Sequence, residues 1–181
     1  MRARVERLKE HRCSIPLKPR SVQGERRVQL CVSVWSDSAR KNFKLVEFLD
    51  RHLDRNKFAL TLVGRLPDGV RLTHGEHIPP LSQRRLGSLL RRMDVLVAPS
   101  FNECYSNAET QALGCGLPVL ALNDSSHREV VGPGGRFFGG ADDIFQELEA
   151  LIARYAEYER AATALDIDDV AVQYLIAAGL V

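Results

Sequence analysis

The sequence predicts a doubly wound α/β fold, a parallel β-sheet covered by helices on both faces. Short runs that are apolar at nearly every position recur along the chain, as strands buried on both faces require. Between them lie stretches whose apolar residues repeat at helical spacing. Gly, Pro or Ser punctuates most changes of period, and 181 residues suit one domain with a sizeable core.

The elements follow in order. Residues 1–27 show no sustained period and are broken by Pro16, Pro19 and Gly24. Val28–Val34 is β-rich and reads as a buried strand. Residues 41–54 place Leu45, Val46, Leu49 and Leu53 on one helical face. Phe58–Val63 is a second strand stopped by Gly64. A loop follows, and then Ser82 opens a helix with Leu86, Leu89, Leu90 and Met93 on one side. Asp94–Ala98 is the next strand, ended by Pro99, and residues 106–115 read as a helix closed by Gly114 and Gly116. Pro118–Leu122 is a further strand, and a short helix near 126–131 leads to a Gly-Pro-Gly-Gly loop and a strand around Phe137 and Phe138. An amphipathic helix over 141–158 presents Ile144, Leu148, Leu151, Ile152 and Tyr155 on one face, and a last helix spans about Ile167 to Ala178. Strands and helices alternating in this way, with right-handed crossovers, give a Rossmann-like sheet. Ligands then sit beyond the carboxyl ends of the strands, after Val34, Val63, Ala98 and Leu122.

Composition narrows the class. With 45% hydrophobic and 27% charged residues, the chain is neither disordered nor fibrous. No apolar run approaches the ~20 residues of a membrane-spanning helix, and no secretory h-region follows the basic N-terminus. Cys13, Cys31, Cys104 and Cys115 form no CxxC pair. They read as reduced thiols of a cytoplasmic protein, and no adjacent His makes Cys104 or Cys115 a nucleophile. The net charge of +2 is uneven: residues 1–27 hold nine basic and three acidic residues. That basic head reads first as a solvated leader before a domain over 28–181, and it leaves peripheral contact with the inner face of a membrane open. Without interleaved aromatics it does not predict nucleic-acid binding. His74 and His77 lie in a Pro-flanked loop, not at i, i+4 on a helix, so no metal is expected there.

The segment after Ala98 carries the most chemistry. It reads Pro99-Ser-Phe-Asn-Glu103-Cys-Tyr-Ser106-Asn107-Ala-Glu-Thr-Gln111-Ala-Leu-Gly-Cys-Gly116-Leu-Pro118-Val. A strand ends, a loop brings the Glu103 carboxylate, and a helix begins near Ser106 and Asn107. Free N–H groups and the positive dipole end at such a start attract phosphate. A carboxylate beside them fits hydroxyls instead. A sugar nucleotide satisfies both features, and an ordinary strand–loop–helix with a solvated Glu satisfies them as well.

The pattern Pro-Ser-x-x-Glu, seven residues, then Gln111-Ala-x-x-x-Gly-x-Pro-Val resembles the donor-site signature of GT-B glycosyltransferases of family 4 type. The resemblance extends over roughly residues 28–178 and takes in Trp35–Phe43, Val63-Gly-Arg65-Leu-Pro, His77-Ile-Pro-Pro80, Asp94–Ser100 and His127-Arg-Glu-Val-Val-Gly132. It implies the C-terminal, donor-binding half of a GT-B enzyme, which transfers a sugar from a nucleotide diphosphate with retention of configuration and no essential metal or other cofactor. On matched positions, Glu103 would meet the transferred sugar, Lys41 the donor phosphate and Gln111 the ribose. Arg65 would reach a phosphate or the base, and Ser126 and His127 the sugar and phosphate. Lys41 and the helix start at Ser106 and Asn107 would stabilise the departing diphosphate.

Three positions depart from the family. Gln111 stands where a Glu usually grips the ribose, trading a charge-assisted bond for a neutral one. Asn42 replaces the usual Gly, and Val34 or Trp35 falls where a partner Arg is usual. A GT-B active site also lies between two domains, and 181 residues leave room for one. The chain alone is therefore expected to bind donor weakly and to transfer nothing without a separate acceptor-binding domain or subunit. A non-catalytic nucleotide-sugar-binding module and a subunit that docks an acceptor domain are the alternatives.

Overall fold

In the computed structural model the described residues are 26–163. The expected helix at 167–178 and all but the last two residues of the basic head lie outside them. The chain runs β1 (Val28–Val34), a 3-10 turn (Ala39–Lys41), α1 (Phe43–His52), β2 (Phe58–Gly64), β3 (Glu76–Ile78), α2 (Gln83–Leu90), β4 (Val95–Ala98) and α3 (Asn107–Gly114). It continues with β5 (Val119–Leu122), α4 (His127–Val131), a 3-10 turn (Gly132–Gly134), β6 (Gly135–Phe138), α5 (Ile144–Ala153) and α6 (Tyr155–Ala161). All neighbouring strands pair parallel, in the order β3-β2-β1-β4-β5-β6. This is the doubly wound Rossmann order, which reverses direction between β1 and β4.

Side-chain alternation explains why both faces are apolar. Leu30, Val32 and Val34 of β1, Val95 and Val97 of β4, and Leu120 of β5 pack with α1, α5 and Tyr155 of α6. Their neighbours Cys31, Leu96, Ala98, Val119 and Ala121 pack with α2 and α3 on the other side. Each strand thus feeds two cores, and a period-2 polar pattern is impossible. Cys31, Cys104 and Cys115 form no disulfide with one another.

Two elements differ from expectation. The stretch read as a loop before α2 contains β3, three residues with Glu76 and His77 exposed. So short and polar an edge strand carries no hydrophobic signal; its register, Thr61↔Glu76 to Val63↔Ile78, is imposed by β2. Asp50 holds its approach by accepting from the backbone N–H groups of Thr73, His74 and Gly75. His77 Nε2 donates to the Gly64 carbonyl at 2.9 Å, and His74 meets Arg55. The helix expected over 141–158 is two helices that break at Arg154 (φ −118°, ψ 28°). The break turns Tyr155 inward, where its hydroxyl donates to the buried Asp94 carbonyl at 3.0 Å. Helical spacing runs unbroken through Leu151, Ile152 and Tyr155, so periodicity could not show it.

Asp94 itself is fully buried at the amino end of β4. It accepts both terminal nitrogens of Arg26, at 2.7 and 2.9 Å, and the Gln29 N–H at 2.7 Å. Arg26→Ala removes two of these donors. We expect a loss of about 1–3 kcal/mol, the cost of an under-satisfied buried polar group, read as a lower denaturant midpoint at unchanged slope.

Candidate functional site

The site forms where the strand order reverses, because the loops after β1 and β4 leave the sheet in opposite directions and open a crevice. A cleft of ≈ 200 Å³ lies there, lined by Ser33, Trp35, Lys41, Glu103, Tyr105 and Asn107 among others. Lys41 ends the short turn after β1, which Ser38 caps by accepting the Arg40 N–H at 3.4 Å. Asn42 follows in the left-handed region at φ 55°, a conformation that Asn tolerates better than most residues and Gly best. The Asn42 side chain donates to the Pro99 carbonyl at 3.0 Å, and the Phe101 N–H to the Arg40 carbonyl at 3.0 Å. These two bonds lash the loop after β1 to the loop after β4. Lys41 Nζ and Glu103 Oε1 meet as a direct ion pair.

A second set of bonds fixes the loop after β4 from the other side. The Asn102 N–H donates to Asp124 at 2.7 Å, and the Ser126 hydroxyl to the Glu103 carbonyl at 2.9 Å. Beneath them, His127 Nε2 donates to the Ser100 carbonyl at 2.8 Å while Nδ1 faces the Glu109 carboxylate; both side chains are fully buried. With Nε2 committed as a donor, the pair shares a single proton between Nδ1 and the carboxyl in either arrangement. Ser106 caps α3, its Oγ accepting the Glu109 N–H at 3.5 Å.

The charges follow from this packing. Burial pushes the Glu103 carboxyl up, but the Lys41 ammonium and the Ser100 hydroxyl outweigh it and hold the group below its ordinary range. Glu103 is therefore ionised at neutral pH and acts only as an acceptor. Burial raises Glu109, with His127 pulling the other way. Burial pushes His127 down, yet the bond to Glu109 raises it overall.

The residues singled out in the sequence divide into two groups. Lys41, Glu103, Ser106 and Asn107 converge on the cleft. Gln111 does not join them: five residues into α3 it faces α2, in a groove with Leu86, Leu90, Gly114 and Cys115, and its Oε1 is buried without a hydrogen-bond partner. Arg65 is exposed at the end of β2 and does not line the cleft; its N–H donates to the Val34 carbonyl at 3.0 Å. His127 is sealed inside, and its polar atoms are spent on Glu109 and Ser100, so it supports the loop instead of meeting a ligand. The Ser126 hydroxyl is likewise engaged with the loop backbone. Asp124, Glu109, Trp35 and Tyr105 have no site role in the sequence reading, and His127 has one of a different kind. The strand–loop–helix rhythm places Asp124 and His127 one loop away from Glu103, but only the pairing of β4 with β5 sets them side by side.

Comparison with known proteins agrees with the fold. The sequence pattern of the family described as "Glycosyl transferases group 1" matches residues 26–156, more than half of the chain. The D-inositol 3-phosphate glycosyltransferase of Paenarthrobacter aurescens (strain TC1) is 43% identical over 47 residues, 26% of this chain and 12% of that protein. The protein of the same name from Xylanimonas cellulosilytica is 40% identical over 53 residues, 29% and 13% of the respective chains. Sucrose-phosphate synthase from Thermosynechococcus elongatus superposes with a TM-score of 0.62 at 15% identity, covering 87% of this chain and 46% of that one. The pneumococcal O-GlcNAc transferase GtfA, solved with UDP and GlcNAc, gives 0.61 at 16% identity, with 77% and 32% covered. The chain thus spans less than half the length of either structure, and at these identities the likeness is one of GT-B fold. No helix among the described residues is long and apolar enough to cross a membrane. A doubly wound sheet, a Lys–Glu pair at its switch point and a family pattern running from Arg26 into α6 converge: the chain belongs to the group 1 glycosyltransferases.

Proposed function

We propose that this domain binds a nucleotide diphosphate sugar and serves as the donor half of a retaining glycosyltransferase. The observation that carries the reading is the Lys41–Glu103 ion pair in the cleft between β1 and β4, beside the Ser106-capped start of α3. Lys41 and the free N–H groups of α3 take the diphosphate, and the ionised Glu103 accepts from sugar hydroxyls. The pair lets both charges share one crevice, since the ammonium screens the phosphate from the carboxylate. In transfer, the bond from the anomeric carbon to the β-phosphate oxygen breaks. A bond to an acceptor hydroxyl forms on the same face, and the hydroxyl proton leaves with the diphosphate or to water. Charge then develops where Lys41 and α3 point, which gives them the role of stabilising the leaving group. The acceptor is brought by a second domain or subunit.

Calorimetric titration with UDP, GDP, ADP and their hexose conjugates tests this reading. Saturable binding to one nucleotide series is expected, weakened roughly 10- to 150-fold in Lys41→Ala, the equivalent of one charged hydrogen bond. A folded chain that binds none of them overturns the donor reading. A second reading, a binding module without transfer, is favoured by the amide at position 111 and by its orientation toward α2. Gln111→Glu separates the two: tighter donor binding marks a weakened ribose contact, and unchanged binding marks a ligand that does not reach α3's outer face.

A further inference from the structure

Among the described residues two large hydrophobic side chains stand exposed, Trp35 at 38% and Tyr105 at 53%. Singly exposed aromatics are common and need no explanation. These two, however, line the same cleft, together with Lys41 and Glu103. Neither sits on a loose loop. Trp35 directly follows the last residue of β1, whose register with β2 is fixed at Val34↔Gly64. Tyr105 lies between Glu103, whose carbonyl is held by Ser126, and Ser106, the cap of α3. Ser33, one turn of the pleat below Trp35 and on the same cleft, carries a hydroxyl with no hydrogen-bond partner.

We propose that Trp35 and Tyr105 hold a pyranose ring at the mouth of this cleft, an inference that rests on the donor reading above. A pyranose is amphipathic in a specific way: its faces are C–H surfaces and its edge is a circle of hydroxyls. Aromatic rings take the faces and an ionised carboxylate takes the edge, and this cleft is lined by both. A nucleobase fits the aromatics but not their surroundings. Its edge mixes N–H donors with acceptor carbonyls and ring nitrogens, so only part of it suits an acceptor-only carboxylate, whereas every hydroxyl on a pyranose edge can donate to one, and in the donor reading α3's first turn takes the phosphate. At ≈ 200 Å³ the cleft is also below the roughly 300–1,000 Å³ that enclose a drug-sized ligand, a size that suits one ring and not a whole nucleotide sugar.

Trp35 is the sole tryptophan of the chain, so intrinsic fluorescence reads this position alone. The wild-type chain is titrated with the nucleoside diphosphate that binds in calorimetry and, separately, with its hexose conjugate. Quenching or a blue shift is expected with the conjugate and little change with the diphosphate. Tyr105→Ala should weaken the conjugate about 2- to 12-fold, the range for an aromatic contact, and leave the diphosphate within about twofold. Trp35→Leu, followed by calorimetry, should do the same, with a thermal melt to show that the domain is folded. Equal emission changes with both ligands, or equal weakening of both by Tyr105→Ala, overturn the inference and assign the aromatics to base or phosphate. If no nucleotide binds, the donor reading falls on that result alone. Methyl glucoside and methyl mannoside at millimolar concentration then test the ring site by itself: quenching keeps it, and an unchanged spectrum overturns it. An emission change that follows protein concentration and not ligand marks a docking face and also overturns it.

Discussion

Replacing His127 by leucine should destabilise the domain by about 3–5 kcal/mol, the cost of stranding one member of a buried charged pair. The substitution leaves Glu109, fully buried, without its partner, and the Ser100 carbonyl without the Nε2–H that it accepts at 2.8 Å. Its effect should depend on pH with a definite sign. In the wild type, the folded-state affinities of His127 and Glu109 for protons are both raised, so the fold holds more protons than the unfolded chain. The stability contributed by His127 is present below its ordinary value near 6.5 and is lost as pH rises through the raised folded value. That of Glu109 is present below about 4.5 and fades upward from there. Leucine removes the imidazole and leaves a lone buried carboxyl. The His127→Leu domain should therefore lose stability as pH rises above about 4.5, by up to about 1.4 kcal/mol per unit. Urea midpoints at pH 5 and pH 8 check this. The double variant Glu109→Leu, His127→Leu should recover much of the loss, because an apolar pair of similar shape strands no charge. A pH-independent deficit in the single variant would mean that cavity formation, not charge, sets the cost.

Gly64→Ala should prevent or severely weaken folding. Gly64 ends β2 at φ +124°, and a methyl group there would lie 1.5 Å from the Val34 carbonyl oxygen. A side chain in that backbone region costs about 1–3 kcal/mol, and overpacking against immovable backbone adds about 1–3 kcal/mol. Together these make about 2–6 kcal/mol, a fall in Tm of roughly 4–24 °C for a domain of this size. The comparison is Gly69→Ala, at φ +85° with open space around it, which should cost only the backbone share of about 1–2 kcal/mol. A folded Gly64→Ala domain would have to move the end of β1, and with it Trp35 and the turn that carries Lys41. Its donor affinity should then fall even at temperatures where it remains folded. Similar melting points for the two variants would show that the β1–β2 approach is not as tight as the geometry makes it.

Much of the architecture was legible in the sequence. Strands that feed two cores are apolar throughout, and Leu86, Leu89, Leu90 and Met93 repeat at the spacing of a helix covering one face. The family resemblance puts Lys41 and Glu103 in one donor site although 62 positions separate them, and the structure pairs them directly. Such signals are local and repetitive, which is why a linear reading captures them. β3 escaped because Glu76 and His77 are polar and the strand is defined only by its pairing with β2. The break at Arg154 escaped because the apolar spacing continues across it while the backbone turns Tyr155 toward Asp94.

The candidate site divides along the same physical line. Residue types at strand ends are a property of the chain; they point to Glu103, Ser106 and Asn107, and the family resemblance adds Lys41. The direction in which a side chain leaves a helix, and what covers it, are properties of the packed molecule. Helical phase sends Gln111 toward α2 and Glu109 toward α4, and only the β4–β5 pairing brings His127 beneath the Glu103 loop. The sequence by itself determined the sheet, its two apolar faces and the strand ends at which a crevice opens. Tertiary structure alone decided that His127 is an internal support, that Gln111 lies outside the cleft, and that Trp35 and Tyr105 stand at its mouth, because burial and facing direction are set by contacts between residues far apart in the chain.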